Sequence, residues 1–217
     1  MADSQITLGL KVITTQREIA KNILDGIVDE VNARVNKVIH GLTDTFKILL
    51  REEIEAAPEY DSIVNGLLRT ELGIENDPSS TLQSIVAHIT NHAKIDFNTA
   101  KVFNSSHAFG SLTVKIDTDV DGIIAAVGGS YETEKGTTIP WLEWMLKLGD
   151  EIIVRDFHIV FNRPAYSRTN DAIMLKGGGW RVPPQYSGDE DNNFITRAID
   201  RALARFQGEF SKAFKNI

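Results

Sequence analysis

A helical repeat of apolar residues near the N-terminus constrains this chain more than any other feature of its sequence. The residues recur at alternating spacings of three and four, and no proline occurs before Pro58. They are Ile19, Ile23, Leu24, Ile27, Val28, Val31, Val35, Val38, Leu42, Phe46, Leu49, Leu50 and Ile54. Thr15 and Glu18 fit a capping box, in which each side chain accepts the other residue's backbone N–H. The pattern predicts one long helix over residues 15–57.

The length of this helix has a consequence for assembly. About 40 residues at 1.5 Å each give a helix of about 60 Å, whereas a compact chain of this size has a radius of gyration of about 17 Å. We therefore expect the helix to extend beyond its own domain. Its heptad-like run is a candidate subunit interface, formed by Val28, Val31, Val35 and Val38. Packing against the protein's own helices is the alternative.

The rest of the chain mixes helical and strand patterns. Helices are predicted within a helical insertion at 75–97, at 141–148 and over a C-terminal segment at 190–217. Strands are predicted at 112–116, 123–127, 152–161 and 172–176, the third being central and the last ending at the glycines 177–179. We expect a single α+β domain, 1–217, with the long N-terminal helix and the C-terminal helix packed on a mostly antiparallel β-sheet.

Composition excludes several classes of function. Cysteine is absent, which excludes disulfides and thiolate chemistry. The net charge of −7 argues against a protein that mainly grips nucleic-acid phosphates, but fits a surface along which DNA slides. No apolar run approaches the roughly 20 residues of a membrane helix, and residues 1–4 lack a signal-peptide pattern. We expect synthesis in a cytoplasm and no membrane partner.

An acidic motif resembles the start of a calcium loop. Asp117, Asp119, Asp121 and Gly122 match positions 1, 3, 5 and 6 of an EF-hand. Position 12 must supply a bidentate Glu, and here it is Gly128. A tight acidic turn explains the same residues, so we expect no metal there.

Two histidines have a spacing that can serve a metal. His88 and His92 are four residues apart on a predicted helix, with Asp96 as the nearest candidate third ligand. The His-Glu-x-x-His pattern is absent, so we interpret the two histidines as residues of a solvated helix face.

Catalytic constellations do not assemble. Ser106 precedes His107, but no Gly-x-Ser-x-Gly elbow surrounds any serine. Asp156 and His158 lie in a predicted strand, and we expect Glu143 to point to solvent. The glycines 177–179 are not followed by the Lys-Ser or Lys-Thr of a phosphate loop. We expect them to form a link that lets Trp180 reach a pocket. We predict a non-enzymatic chain with no catalytic residues, cofactor or metal; a small metal-dependent or hydrolytic enzyme is the alternative.

A short segment after the glycines is a second candidate interface. Two prolines keep it extended, and Trp and Arg are enriched at interface hot spots. Its members are Trp180, Arg181, Val182, Pro183 and Pro184. The alternative is that Trp180 fills the subunit's own core. We interpret the sparse basic cluster of Arg163, Arg168 and Arg181, with Tyr166, as intersubunit ion pairs instead of a nucleic-acid contact.

Several segments resemble virion structural proteins of tailed bacteriophages. They are Trp141-Leu-Glu-Trp144, Gly149-Asp150, Ser167 to Met174, Trp180 to Pro184 and Asn192 to Ile199. The plan is also similar to the tail-completion and head–tail joining family of lambda-like siphophages, through Pro58, the turn Gly66-Leu67-Leu68-Arg69 and the stretch from Pro183 to Ile199. The resemblance covers the last 80 residues or so well and the first 75 loosely. The predicted helices at 81–93 and 141–148 look like insertions.

This resemblance implies a place in the virion. Members form a ring, usually hexameric, in the neck between the head connector and the tail. It therefore implies a homo-oligomer that contacts neighbouring connector and tail proteins, while DNA passes through its lumen without specific binding. A tail terminator or another protein of the tail-tube end is the alternative.

Overall fold

The computed structural model describes residues 15–74, 77–126, 128–163, 167, 169 and 171–215. The helices are α1 (Gln16–Glu55), α2 (Pro58–Val64), α3 (Leu67–Leu72), α4 (Pro78–Asn91), α5 (Val120–Ile124), α6 (Trp141–Leu146) and α7 (Phe194–Lys215). The strands are β1 (Ala93–Asn104), β2 (His107–Ile116), β3 (Tyr131–Glu132), β4 (Thr138–Ile139), β5 (Val154–Phe161) and β6 (Ala172–Trp180). The α+β class and the long N-terminal and C-terminal helices are confirmed. In the described ranges, no helix has an apolar stretch that could span a bilayer.

Helix α1 begins where the capping box predicts. The backbone N–H of Thr15 donates to Oε2 of Glu18 at 2.7 Å, and the N–H of Glu18 donates to Oγ1 of Thr15 at 3.3 Å. These bonds satisfy backbone donors that the first turn leaves without helical partners. The helix then continues for 40 residues, so Gly41 does not end it.

The chain divides into two compact units, which the sequence prediction of one domain did not anticipate. The first unit is Met1–His40 with Ile95–Thr113, and the second is Gly41–Lys94 with Val114–Ile217. Helix α1 and the β1–β2 pair each contribute residues to both units. Helix α4 lies within the predicted helical insertion at 75–97 and belongs to the second unit.

In the first unit, α1 packs beside a β-hairpin. Strands β1 and β2 pair with each other and are joined by two residues, a connection that makes them antiparallel. At the turn, the N–H of Ser106 donates to Oδ1 of Asn104 at 2.9 Å. The amide side chain of Asn32 bonds both backbone groups of Ala100, at 2.8 and 2.9 Å. This pairing ties α1 to the outer edge of β1.

In the second unit, the C-terminal part of α1 packs on α7. The rings of Phe46 and Phe206 meet edge-on with centroids 5.5 Å apart, and the small residues Ala198 and Ala202 of α7 are fully buried. Ion pairs flank this apolar contact. The guanidinium nitrogens and carboxylate oxygens are 2.6 Å apart in Arg197–Glu59, 2.8 Å in Arg201–Glu53, 2.7 Å in Arg205–Glu53 and 2.8 Å in Arg205–Glu52.

The strands that the structure describes form three separate two-stranded sheets and not one sheet. Strands β3 and β4 pair antiparallel, as do β5 and β6. The sequence predicted a central strand at 152–161, which is wrong for β5. Among the described strands β5 pairs with β6 alone, and Arg155, Phe157 and His158 are exposed. The prediction of a central strand came from an apolar run that includes Phe157. A two-stranded sheet leaves this side chain exposed, because no further strand covers it in the described part of the chain.

The glycines 177–179 lie inside β6, contrary to the predicted strand end. The β5–β6 register shifts between Arg155 and Phe157, and Val154 pairs with Trp180 beyond the irregularity. Asp156 has a φ of 63°, and Gly177 and Gly178 have φ values of 117° and 79°. Glycine adopts such angles at little cost, so the strand continues through a bulge.

The predicted strand at 123–127 is also wrong where the structure describes it. Residues Val120–Ile124 form the short helix α5, because Oδ1 of Asp119 accepts the N–H of Gly122 at 2.7 Å and caps the turn. Val127 lies outside the described residues.

Candidate functional site

Four aliphatic side chains of α1 form an exposed stripe on the first unit. Their exposed fractions are 43% for Ile19, 60% for Ile23, 53% for Ile27 and 40% for Val31. A spacing of four keeps them on one side of the helix. Ile19 lies about half a turn around the helix from the buried Val28. We call these four residues the apolar stripe.

The heptad-like run proposed as an interface divides between two environments. Val28 and Val35 are buried within this chain, Val38 is half-buried and Val31 is exposed. For Val28 and Val35 the interface prediction is therefore corrected to the alternative, packing within the protein. The reason is geometric: residues seven apart share one side of a helix, and that side is covered.

The β1–β2 hairpin exposes two aromatic rings. Phe103 and Phe109 are 84% and 76% exposed and lie on either side of the turn. In the part of the chain that the structure describes, the hairpin has no third strand. A two-stranded ribbon is marginally stable in water by itself, so the surface near the turn is poorly covered in the isolated chain.

The serine–histidine neighbours belong to this hairpin turn. Oγ of Ser106 lies 2.9 Å from Nδ1 of His107, and the same Nδ1 lies 3.1 Å from Oδ1 of Asn104. Both side-chain contacts connect residues of the turn itself. The contact between Ser106 and His107 is therefore explained by the structure of the turn.

The structure places Trp180 in the core of its own subunit. Its side chain is 6% exposed, and its ring meets that of Trp144 edge-on with centroids 5.6 Å apart. Val182 is fully buried. For Trp180 and Val182 the interface prediction is therefore corrected to the core alternative. Arg181 and Pro184 are exposed and Pro183 is half-buried, so their interface role stays a prediction.

A cavity in the second unit adjoins this tryptophan. It has a volume of about 450 Å³ and lies among α3, β4, α6, β5 and β6. Oε2 of Glu71 accepts the indole N–H of Trp180 at 3.1 Å, and Glu71 lines the cavity. Burial raises the pKa of Glu71, and the bond from Trp180 opposes part of that rise. The cavity thus combines a half-buried carboxylate with apolar side chains and with the hydroxyl residues Thr70, Ser167 and Thr169.

The three acids of the calcium-like motif point to separate partners. Asp117 forms an ion pair with Lys94, whose hydrogen bond lowers the pKa of the carboxyl. Asp119 caps α5, and Asp121 pairs with Lys147 at 2.5 Å. The motif is therefore an acidic turn with a helix cap. Among the described residues, no three acidic or imidazole groups are placed to hold a metal ion.

The rings of His88 in α4 and of His92, the residue that caps its C-terminal end, lie against each other with a tilt of 40°. Their ring centroids are 4.4 Å apart, and Nδ1 of His92 lies 2.8 Å from the backbone oxygen of His88. Nε2 of His88 is buried and has no hydrogen-bond partner among the described residues. The ring nitrogen is enclosed by protein, so the pair does not present two open nitrogens as a metal site requires.

The remaining sequence candidates are dispersed. Nδ1 of His158 lies 2.7 Å from the backbone oxygen of Gly177, which fits a proton on Nδ1 and a structural role at the bulge. Glu143 is half-buried, and Arg163 is exposed. Tyr166 and Arg168 lie outside the described residues.

Sequence reasoning missed the apolar stripe and Glu71. Ile19, Ile23 and Ile27 were part of the recognised helical pattern, and their regular spacing of four was a usable signal that a second side of α1 is apolar. Glu71 gave no signal, because a single acid in a six-residue helix looks like a solvated residue.

Comparison with known proteins identifies no relative. No protein-family model, no curated protein and no solved structure matches this chain.

Proposed function

We propose that this chain is a non-enzymatic structural subunit that assembles with copies of itself. We further propose that the assembly is the neck ring joining head connector to tail in a tailed phage. The observation that carries the first part is the apolar stripe, four aliphatic side chains each at least 40% exposed on one helix. Contiguous exposed apolar surface of this kind is typical of interaction sites.

A second copy of the chain is the proposed partner of the stripe. If two stripes pack in opposite directions, Ile19 faces Val31 of the other copy and Ile23 faces its Ile27. Self-complementarity of this form is what a symmetric contact requires.

The hairpin is proposed to enlarge this contact. A stable interface buries about 800 Å² on each partner, more than four half-exposed aliphatic side chains present. Phe103 and Phe109, 84% and 76% exposed, add aromatic surface to the same unit. Aromatic residues are enriched in the buried centres of interfaces.

The place in a phage neck rests on the sequence resemblance. The segments from Trp141 to Ile199 carry it, and the net charge of −7 suits a lumen through which DNA passes. On this proposal the ring contacts neighbouring connector and tail proteins, and a hexamer is the favoured copy number. A symmetric contact between stripes would then join subunits of two stacked rings or pair subunits before ring closure.

Electron microscopy tests both parts. Negative-stain images of the purified protein should show rings of countable subunits, and gold-labelled antibody should mark the neck of virions. Label on tail-tube ends and not on filled heads would favour the tail-terminator alternative. A strict monomer at high concentration, with no labelled ring in the virion, would contradict the proposal.

A further inference from the structure

The cavity beside Trp180 has a feature that an assembly subunit does not require. Glu71 on α3 places a carboxylate at its wall, and one oxygen, Oε2, accepts the indole N–H of Trp180 at 3.1 Å. In the described part of the chain, no donor bonds the other oxygen and no Lys or Arg pairs with this carboxylate. A half-buried carboxylate without a charged partner either takes up a proton, in line with its raised pKa, or gains a cation.

The walls of the cavity favour an apolar body behind such a cation. Val154 and Ile159 of β5 and Ile173 and Met174 of β6 line it. The indole of Trp144 lines it as well, and aromatic rings attract cations in addition to packing on apolar groups. The volume of about 450 Å³ lies within the usual range of small-molecule sites, roughly 300–1,000 Å³.

We propose that this cavity binds a small organic cation, a primary amine or guanidinium carried on an apolar body, with Glu71 as the ligand for its charge. Trp180 is the positioning residue: its N–H holds Oε2, which leaves Oε1 for the cation. The apolar side chains of the cavity and Trp144 pack against the rest of the ligand. The site lies wholly in the second unit and does not depend on the assembly proposed above.

Calorimetric titration with phenethylamine tests the site. The matched neutral probe is 2-phenylethanol, which has the same ring and chain but no charge. Phenethylamine should bind saturably to the parent protein, and 2-phenylethanol should bind about tenfold to hundredfold more weakly, because a charge-assisted bond is lost. Glu71→Gln should weaken phenethylamine to the same extent and leave 2-phenylethanol unchanged. Glu134→Gln, an exposed acid in the β3–β4 connection, is the control and should bind like the parent.

The outcomes separate cleanly. Absence of saturable phenethylamine binding, or equal affinity of the two probes for the parent protein, overturns the proposal. Equal affinity of phenethylamine for the parent and for folded Glu71→Gln overturns it as well. If circular dichroism shows that Glu71→Gln is unfolded, the comparison of the two probes on the parent protein decides.

Discussion

The side chain of Asn32 pairs with the backbone of Ala100 as a residue of a neighbouring strand would. Its Oδ1 accepts the N–H of Ala100 at 2.8 Å, and its Nδ2 donates to the carbonyl at 2.9 Å. The helix thereby satisfies backbone groups at the edge of β1 that would otherwise need water or another strand.

Replacing this asparagine tests how the hairpin is held. Asn32→Ala removes both bonds, and we expect a loss of about 1–3 kcal/mol in the free energy of unfolding. Asn32→Asp keeps the acceptor for the N–H but loses the donor. Amide hydrogen exchange at Ala100 should therefore accelerate strongly in the first variant and less in the second. Unchanged exchange in Asn32→Ala would show that α1 does not hold this edge.

The core position of Trp180 predicts a stability effect. Trp180→Ala should lower the free energy of unfolding by about 3–5 kcal/mol, the usual cost of truncating a buried aromatic. Trp180→Phe keeps a ring against Trp144 and loses the bond to Glu71, so its loss should be smaller. Denaturant unfolding measures both. A Trp180→Ala variant that unfolds like the parent but fails to assemble would restore the interface role.

The bulge in β6 predicts opposite effects for two glycine substitutions. Gly177 has a φ of 117°, and a Cβ there would meet no atom within 4 Å. Gly177→Ala should therefore cost about 1–3 kcal/mol through backbone strain alone. Gly208 in α7 also has open space around it, and Gly208→Ala should stabilise by about 0.5–1 kcal/mol because alanine favours the helix. Equal effects of the two changes in urea titrations would contradict this explanation.

The ion pairs between α1 and α7 predict a pH dependence. Hydrogen bonds from Arg205 and then Arg201 lower the pKa of Glu53 in the folded state. A lowered folded pKa gives a contribution to stability that is complete above the unfolded value, about 4.3, and is lost as the pH falls through the folded value. The difference in unfolding free energy between the parent and Glu53→Gln should therefore shrink with acidification below pH 4.3 or so. A difference that stays constant down to acid unfolding would show that the pairs do not shift this carboxyl.

The sequence predicted those elements whose signals are local. Helix α1 follows from its apolar period and from Thr15 and Glu18. Gly73 is another local signal, since its left-handed φ of 71° ends α3. Strand β1 was missed because charged and amide residues alternate with its weak apolar positions. Helix α5 was missed because its cap, Asp119, sits in a motif that resembles a loop.

The candidate site was less predictable because it depends on distant residues. Glu71 and Trp180 are 109 positions apart, and neither position alone indicates a half-buried carboxylate. The exposure of Ile23 likewise depends on which side of α1 the hairpin covers, and periodicity shows two apolar sides without saying which one packs. Tertiary packing decides both the burial of Glu71 and the exposure of Ile23.

Sedimentation velocity on two isoleucine variants of α1 tests the assembly proposal most directly. Ile23 and Ile48 are matched, at 60% and 59% exposed on the same helix, but only Ile23 belongs to the apolar stripe. The account predicts that the parent protein and Ile48→Glu sediment as the same oligomer, whereas Ile23→Glu sediments as a smaller species with an unchanged circular dichroism spectrum. A parent protein that stays monomeric at high concentration, or an Ile23→Glu variant that assembles like the parent, would contradict it.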